Sequence, residues 1–202
     1  MDFSRKNSTF PNRRNLDGRK TFRSFFIRFR KYIFFAFAVL ILFLSIQYIW
    51  KEKRFRYIVI HHTASDIGNL AYYRRLHMKE RGWPDIAYHF LVNNGSYNTA
   101  MGQIEQSNLW DNKSINYSTK VSYVNYFGIA VAIVGNFERH SVPALQWESI
   151  VNLTTMLSQE YGIPPERIIA HRELWETACP GKNFDIVKLR SEVRKNLESV
   201  SQ

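Results

Sequence analysis

Along this 202-residue chain the apolar positions fall into three kinds of pattern. The first is an unbroken run, Tyr32–Trp50, nineteen residues without a charge. At about 1.5 Å per residue a helix of that length spans roughly 28 Å, close to a bilayer's hydrocarbon core. The second is a set of short runs rich in β-branched residues, read as strands at Arg56–His61, Ala87–Val92, Phe127–Val134 and Arg167–Ala170. A further strand is expected around Tyr97–Met101, after the turn Asn93-Asn94-Gly95-Ser96. The third pattern is helical spacing. Asn69–Arg81 carries Leu70, Tyr73, Leu76 and His77 on one stripe and stops at Gly82. Pro143–Tyr161 repeats the pattern with Ile150, Val151, Thr154 and Leu157 before Gly162, and Phe184–Val200 with Ile186, Leu189, Val193 and Leu197. Residues 103–125 are polar and irregular and read as a long surface loop over a site. Strands and helices interleave. The expected fold is therefore α/β, a mixed central β-sheet flanked by helices, preceded by a single transmembrane helix.

Charge changes this picture once it is mapped. Of the net +11, residues 1–31 supply +8 through ten Lys/Arg against Asp2 and Asp17, and residues 51–56 supply +3. Residues 57–202 are neutral. A nucleic-acid binder would spread basic residues over its folded face, so no nucleic-acid partner is expected. The basic residues flank the apolar run instead. Ten before it and four after place the N-terminus in the cytoplasm and residues 51–202 outside. Tyr32, Tyr48 and Trp50 stand near its ends, where aromatic rings favour the interface. A cleaved signal peptide is the rival reading, but its apolar region is usually shorter and no small-x-small site occurs around Ser45–Ile49. The expected organisation is a mostly disordered basic cytoplasmic tail at 1–31, an uncleaved anchor at 32–50, a brief linker at 51–56 and a folded domain at 57–202. The expected location is the cytoplasmic membrane, single-pass, with the domain outside.

The candidate chemistry gathers near the end of the chain. Cys179 is the only cysteine, so no intramolecular disulfide forms, and it follows His171 by eight residues in a loop closed by Pro180 and Gly181. Thiolate and imidazole are both good zinc ligands, and a third candidate, His61, ends the first strand. His171 ends a strand in the same way, after Ile168-Ile169-Ala170. Read alone, either histidine is equally a satisfied core residue, and Cys179 a buried inert thiol. Together they form a three-ligand set with one open position, the arrangement of catalytic rather than structural zinc. His62 alternates to the opposite face from His61 and is assigned to packing or to support of the ligands from behind; His77 and His89 are expected to be structural. Tyr88, read alone, is a core aromatic in a strand.

The stretches Ile58-Val59-Ile60-His61-His62-Thr63-Ala64, His77 through Phe90, Gly128-Ile129-Ala130-Val131, Gly135-Asn136-Phe137 and His171 through Gly181 occur in one order across about 57–185. In these the chain resembles the zinc-dependent N-acetylmuramoyl-L-alanine amidases, the type shared by phage lysozyme-like amidases and peptidoglycan recognition proteins. The resemblance implies Zn²⁺ held by His61, His171 and Cys179, Tyr88 as the catalytic tyrosine, and Thr177 at the position of a substrate-stabilising residue. It implies a peptidoglycan or muropeptide substrate cut between N-acetylmuramic acid and L-alanine. The alternative it leaves is a non-catalytic, membrane-anchored binding module, whose relatives commonly lack the cysteine that this chain keeps. Two departures stand out. Ala130 occupies the place where some relatives carry a glutamate base, and the 103–125 loop carries Trp110, Asn112, Asn116 and Tyr117, expected to contact sugar or peptide.

Overall fold

The computed structural model describes residues 17–200, with side chains from Phe29 to Ser199. It divides into two units, 1–50 and 51–202. The first contains most of helix α1 (Asp17–Lys53). Its segment Phe29–Lys53, with a mean hydropathy of 2.3 and none of its apolar window buried, is long and apolar enough to cross a membrane. The expected tail lies partly outside the described residues. From Asp17 onward it is helical rather than irregular, because the apolar run nucleates a helix that Arg-, Lys- and Phe-rich sequence after Gly18 can extend.

The second unit is a five-stranded sheet ordered β3-β2-β4-β1-β5, with β1 (Tyr57–His62), β2 (Phe90–Asn94), β3 (Met101–Gln106), β4 (Gly128–Ile133) and β5 (Ile168–Ala170). Strands β2, β4, β1 and β5 run parallel, and β3 pairs antiparallel at one edge, so the sheet is mixed as expected. The remaining elements are α2 (Leu70–Arg81), α3 (Asn108–Asp111), α4 (Ser122–Phe127), α5 (Ala144–Tyr161) and α6 (Ile186–Val200). The four parallel strands read as near-continuous apolar runs because helices cover both faces. Ile58, Ile60, Ile129, Val131 and Ile133 face α5 and α6 and meet Ile150, Leu157, Leu189 and Val193. Full burial of each such side chain contributes roughly 2 kcal/mol, so this face carries most of the domain's cohesion. The smaller face, with Leu91, Ala132 and Val134, packs under Tyr73 of α2.

Local signals set the helix ends. The Asn69 side chain accepts the Tyr72 N–H at 2.9 Å to start α2, and Gly82, in the left-handed region at φ 66°, ends it. Three expectations need correction. The strand expected at Tyr97–Met101 begins only at Met101, because Tyr97 and Asn98 take positive φ and turn the chain. The strand expected from Ala87 begins at Phe90; before it, Ala87 N–H is spent on His77 Nδ1 at 3.1 Å, outside any ladder. The loop expected at 103–125 instead opens on β3 and contains α3 and α4.

Within the stretch expected as linker, Arg54 and Phe55 are buried in the domain. The Arg54 guanidinium donates to the carbonyls of Tyr126 (2.7 Å), Lys113 (2.6 Å) and Ser114 (2.6 Å), satisfying the charge inside the fold. His89 is fully buried nearby: its Nδ1 accepts the Ala130 N–H at 3.0 Å, which leaves Nε2–H to donate to Ser114 O at 3.0 Å. That neutral tautomer is fixed by the backbone on both sides.

Burial pushes the His89 pKa down to about 4. An unfolded histidine titrates near 6.5, so the unfolded state takes up the proton first and stability falls as pH drops from about 6.5 toward 4. Between pH 7 and pH 5 this one group should cost about 2 kcal/mol. Urea midpoints measured across that range should show a shallower acid slope for His89→Gln than for the parent, although the variant starts less stable at pH 7.

Candidate metal centre

Strand register creates the site. Ile60 of β1 lies opposite Ala170 of β5, so the next residues, His61 and His171, leave the sheet side by side. Their rings meet with centroids 4.6 Å apart. On the other side His61 pairs with Ala132 of β4, a side chain small enough to leave room for the Tyr88 ring, whose centroid lies 5.3 Å from that of His61.

Cys179 is brought in by its loop. Arg172 N–H donates to Cys179 O at 2.8 Å, and the Arg172 guanidinium donates to Gly181 O (2.8 Å) and Phe184 O (3.0 Å). Gly181, at φ 102°, lies so close to Phe137 that a Cβ would strike its backbone carbon. Glu173 anchors the other flank, accepting the Ala170 N–H at 2.7 Å and pairing with Arg190 at 2.8 Å. The sulfur ends 3.6 Å from His61 Nδ1 and receives the His62 N–H at 3.4 Å. Arg172 and Glu173 were missed in the sequence, although both stand inside the His171–Gly181 stretch.

The ligand atoms of His61, His171 and Cys179 lie within 4.8 Å of one another. With Zn–S near 2.3 Å and Zn–N near 2.05 Å, a tetrahedral zinc sets its sulfur and nitrogen ligands about 3.6 Å apart, which is the Sγ–Nδ1 distance seen here. Nδ1 is therefore the His61 nitrogen placed to share a cation with the sulfur, while Nε2 is buried with no partner among the described residues. The other buried histidines have ring nitrogens taken by backbone: His62 Nδ1 by Phe137 N–H, His77 Nδ1 by Ala87 N–H, and both nitrogens of His89. His62 also packs its ring on Phe137, on the face opposite His61. The donor set suits zinc.

Burial also sets the charges. It pushes the His61 pKa well down, with His171 and His62 adding to the effect, and lowers that of His171. Both imidazoles are therefore neutral, the form that binds metal. Burial raises the Cys179 thiol to about 12, so its thiolate needs a cation beside it. Tyr88 is raised by burial and then by Cys179, which keeps its hydroxyl protonated. Thr177 stands two residues before Cys179 and its Oγ1 accepts the Cys179 N–H at 3.3 Å.

These groups line a cavity of about 440 Å³, with His77, Arg81 and Trp83 on its wall. A second cleft of about 370 Å³ shares Arg81, Trp83, His171 and Thr177 and adds Tyr117, Lys120 and Trp175. Of the loop residues expected to contact ligand, only Tyr117 lines these clefts. Trp110 is buried, stacked on Phe55 at 5.6 Å, and Asn116 is buried with its side-chain amide on Asn125 O and Gly128 O. Asn112 caps α3 through Asn108 O.

A sheet of this order with a two-histidine, one-cysteine centre at the ends of its parallel strands defines a class of metal-site α/β domain. Residues 51–182 match the family model described as N-acetylmuramoyl-L-alanine amidase, and the chain belongs to that family. Membership ties it to peptidoglycan and supports amidase chemistry in general. Among solved structures, the chain is similar to the N-acetylmuramoyl-L-alanine amidase LysC from Clostridium intestinale, with a TM-score of 0.61 and 25% identity over 71% of this chain and 88% of that one. It is also similar to the Ph2119 endolysin from a Thermus scotoductus bacteriophage, with a TM-score of 0.51 and 29% identity over 69% and 84% of the two chains. Peptidoglycan-recognition protein SC2 of Drosophila melanogaster is 27% identical over 137 residues, covering 63% of this chain and 69% of its own.

Arg172→Ala should loosen the loop that carries Cys179 while leaving every metal ligand in place. Loss of the two guanidinium hydrogen bonds, with the backbone N–H still donating to Cys179 O, should cost about 1–3 kcal/mol in unfolding free energy and weaken zinc about 10- to 100-fold. Chelator competition, compared with Arg172→Lys, measures the effect; unchanged zinc affinity in the alanine variant would remove Arg172 from the site.

Proposed function

We propose that the chain is a membrane-anchored zinc amidase that hydrolyses the amide between N-acetylmuramic acid and L-alanine of peptidoglycan. The observation that carries this reading is the convergence of His61, His171 and Cys179 beside Tyr88, at the floor of an open cavity. His61, His171 and Cys179 hold the zinc. When bound, zinc supplies a Lewis acid that polarises the amide carbonyl and lowers the pKa of water toward about 7. Water adds to the carbonyl carbon, the C–N bond breaks, and the proton from water leaves with the L-alanine amine.

Tyr88 donates its O–H to the oxygen of the attacked carbonyl as negative charge develops there. Its raised pKa supports the role, since the hydroxyl remains a donor throughout the physiological range. Thr177, whose Oγ1 already accepts from Cys179 N–H, still has its hydroxyl proton to give to the same oxygen or to the substrate. The cavity contains no carboxylate among its described lining residues, so Tyr88 carries more of the work than in a site with a glutamate base.

Residues 32–50 would span the cytoplasmic membrane once as an uncleaved anchor, with 1–31 inside and the amidase domain, whose fold already includes Arg54 and Phe55, outside. The basic flanks and the apolar helix support that placement, and peptidoglycan lies on the same side.

The purified full chain should contain one zinc and release stem peptides from peptidoglycan. Cys179→Ala should lose both. Tyr88→Phe should keep zinc and lose activity by about 10²–10³-fold. Zinc without release from any wall type would instead support a binding module, and no zinc would refute the site.

A further inference from the structure

The second cleft has a wall that the metal centre does not use. It begins at His171 and Thr177, which it shares with the first cavity, and runs between the end of α2 and residues 117–120. Two side-chain amides fix that stretch of loop. Asn116, itself buried, accepts the Ser118 N–H (3.1 Å) and the Ser118 hydroxyl (2.6 Å) on its Oδ1. Asn125 of α4 accepts the Thr119 N–H (3.0 Å) and donates to Thr119 O (2.8 Å), while Thr119 Oγ1 accepts the Val121 N–H (3.1 Å). Lys120 is thus held from both sides. A polar stretch that spends its side-chain bonds on its own backbone is shaped before any ligand arrives.

Two cations line this cleft, each laid on an indole. Arg81, at the end of α2, has its Cζ 5.1 Å from the centroid of the Trp83 ring, and Lys120 Nζ lies 4.7 Å from that of Trp175. Tyr117 stands beside Trp83 at 6.4 Å. An indole face orients a cation without neutralising it. Neither Arg81 nor Lys120 forms an ion pair with a carboxylate among the described residues. Glu176 is the one acidic residue on the lining, so positive charge remains in excess. Free cations above aromatic rings suit a carboxylate whose attached chain lies along the rings.

Two arms leave the amide named above as substrate, and their charges differ. The sugar arm is neutral, because its hexosamines are N-acetylated and the lactyl carboxyl is part of the amide. The peptide arm carries carboxylates. The first of them is the α-carboxylate of the second residue, a D-glutamate linked through its γ-carboxyl, within about 7 Å of the alanine nitrogen. We propose that the second cleft is the subsite for this carboxylate, with Lys120 and Arg81 as its specificity-determining residues. The proposal rests on the peptidoglycan-substrate reading above and adds a selection to it. A stem whose second residue is a free acid is preferred over one in which that residue is the carboxamide, which leaves both cations without an anion and offers them a weaker acceptor.

The test uses the full chain in detergent and two N-acetylmuramoyl tripeptides, L-alanyl-γ-D-glutamyl-L-lysine and its D-isoglutaminyl counterpart, which differ only in carboxylate against carboxamide. Affinity is measured by calorimetry on the slow Tyr88→Phe chain, and hydrolysis on the parent. The acid form should bind about tenfold more tightly, as expected for a charge-assisted contact. Lys120→Gln, and separately Arg81→Gln, should cut that ratio to about threefold or less, while Lys120→Arg should keep it. In hydrolysis the preference should appear in KM rather than in kcat. Equal affinity for the two forms, or a ratio unchanged in either glutamine variant, overturns the subsite. Hydrolysis of both forms at equal affinity overturns the subsite alone. A preference for the acid without hydrolysis keeps the subsite and overturns the amidase reading, and binding of neither form overturns both.

Discussion

The registration of β5 against β1 is the constraint on which the metal centre depends. Side chains alternate along a strand, so a slip by one residue would turn one histidine to the other face of the sheet. What prevents the slip is apolar burial: Ile58, Ile60, Ile168 and Ala170 all lie in the core beneath α5 and α6. The same packing that holds the domain together therefore sets the distance between two ligands. Cys179 has no strand to position it. Its place depends on the bonds that Arg172 donates to three backbone carbonyls and on a glycine that admits the Phe137 backbone. One half of the centre is set by the core and the other by a laced loop.

Burial acts on His61, His171, Cys179 and Tyr88, and its effects divide. It neutralises His61 and His171, which readies them as ligands, and it protonates Cys179, which does not. A divalent cation would reconcile the three, its charge stabilising the thiolate while the imidazoles remain neutral. The His62 N–H aimed at the sulfur contributes in the same direction. Tyr88, beside them, is held as a hydrogen-bond donor by the same desolvation. Desolvation thus holds both imidazoles neutral and the Tyr88 hydroxyl protonated.

Much of this was legible in the sequence because the signals were local. Gly82 and Gly162 marked helix ends, the β-branched runs marked central strands, and two histidines at strand ends pointed to one centre. The parts that were not legible depend on contacts distant in sequence. Trp110 sits in polar sequence, yet Phe55 and Phe90 from other elements bury it. Arg54 belongs to a run of charges that reads as solvated linker, and only the carbonyls of residues 113, 114 and 126 explain its burial. Tyr97 and Asn98 take left-handed backbone, which no side-chain pattern announces for a tyrosine. Arg81, Trp83, Lys120 and Trp175, which wall the clefts, come from separate segments that only the fold unites.

Parallel strands carry a consequence of their own. Their shared direction separates the end where they begin from the end where loops leave them, and sites in such sheets form at the carboxyl ends. Here β1 begins directly after residues that the core already holds, so that end has little freedom to vary. The loops after β1 and β5 carry Thr63-Ala64 and the His171–Gly181 stretch, and both contribute to the cavity around the candidate centre. Arg54 and Arg172 mirror each other across this division. Each is a cation whose hydrogen bonds go to backbone carbonyls, one fixing how the chain joins the sheet and the other how the last ligand is presented. The strand register then sets the spacing of His61 and His171 at the other end.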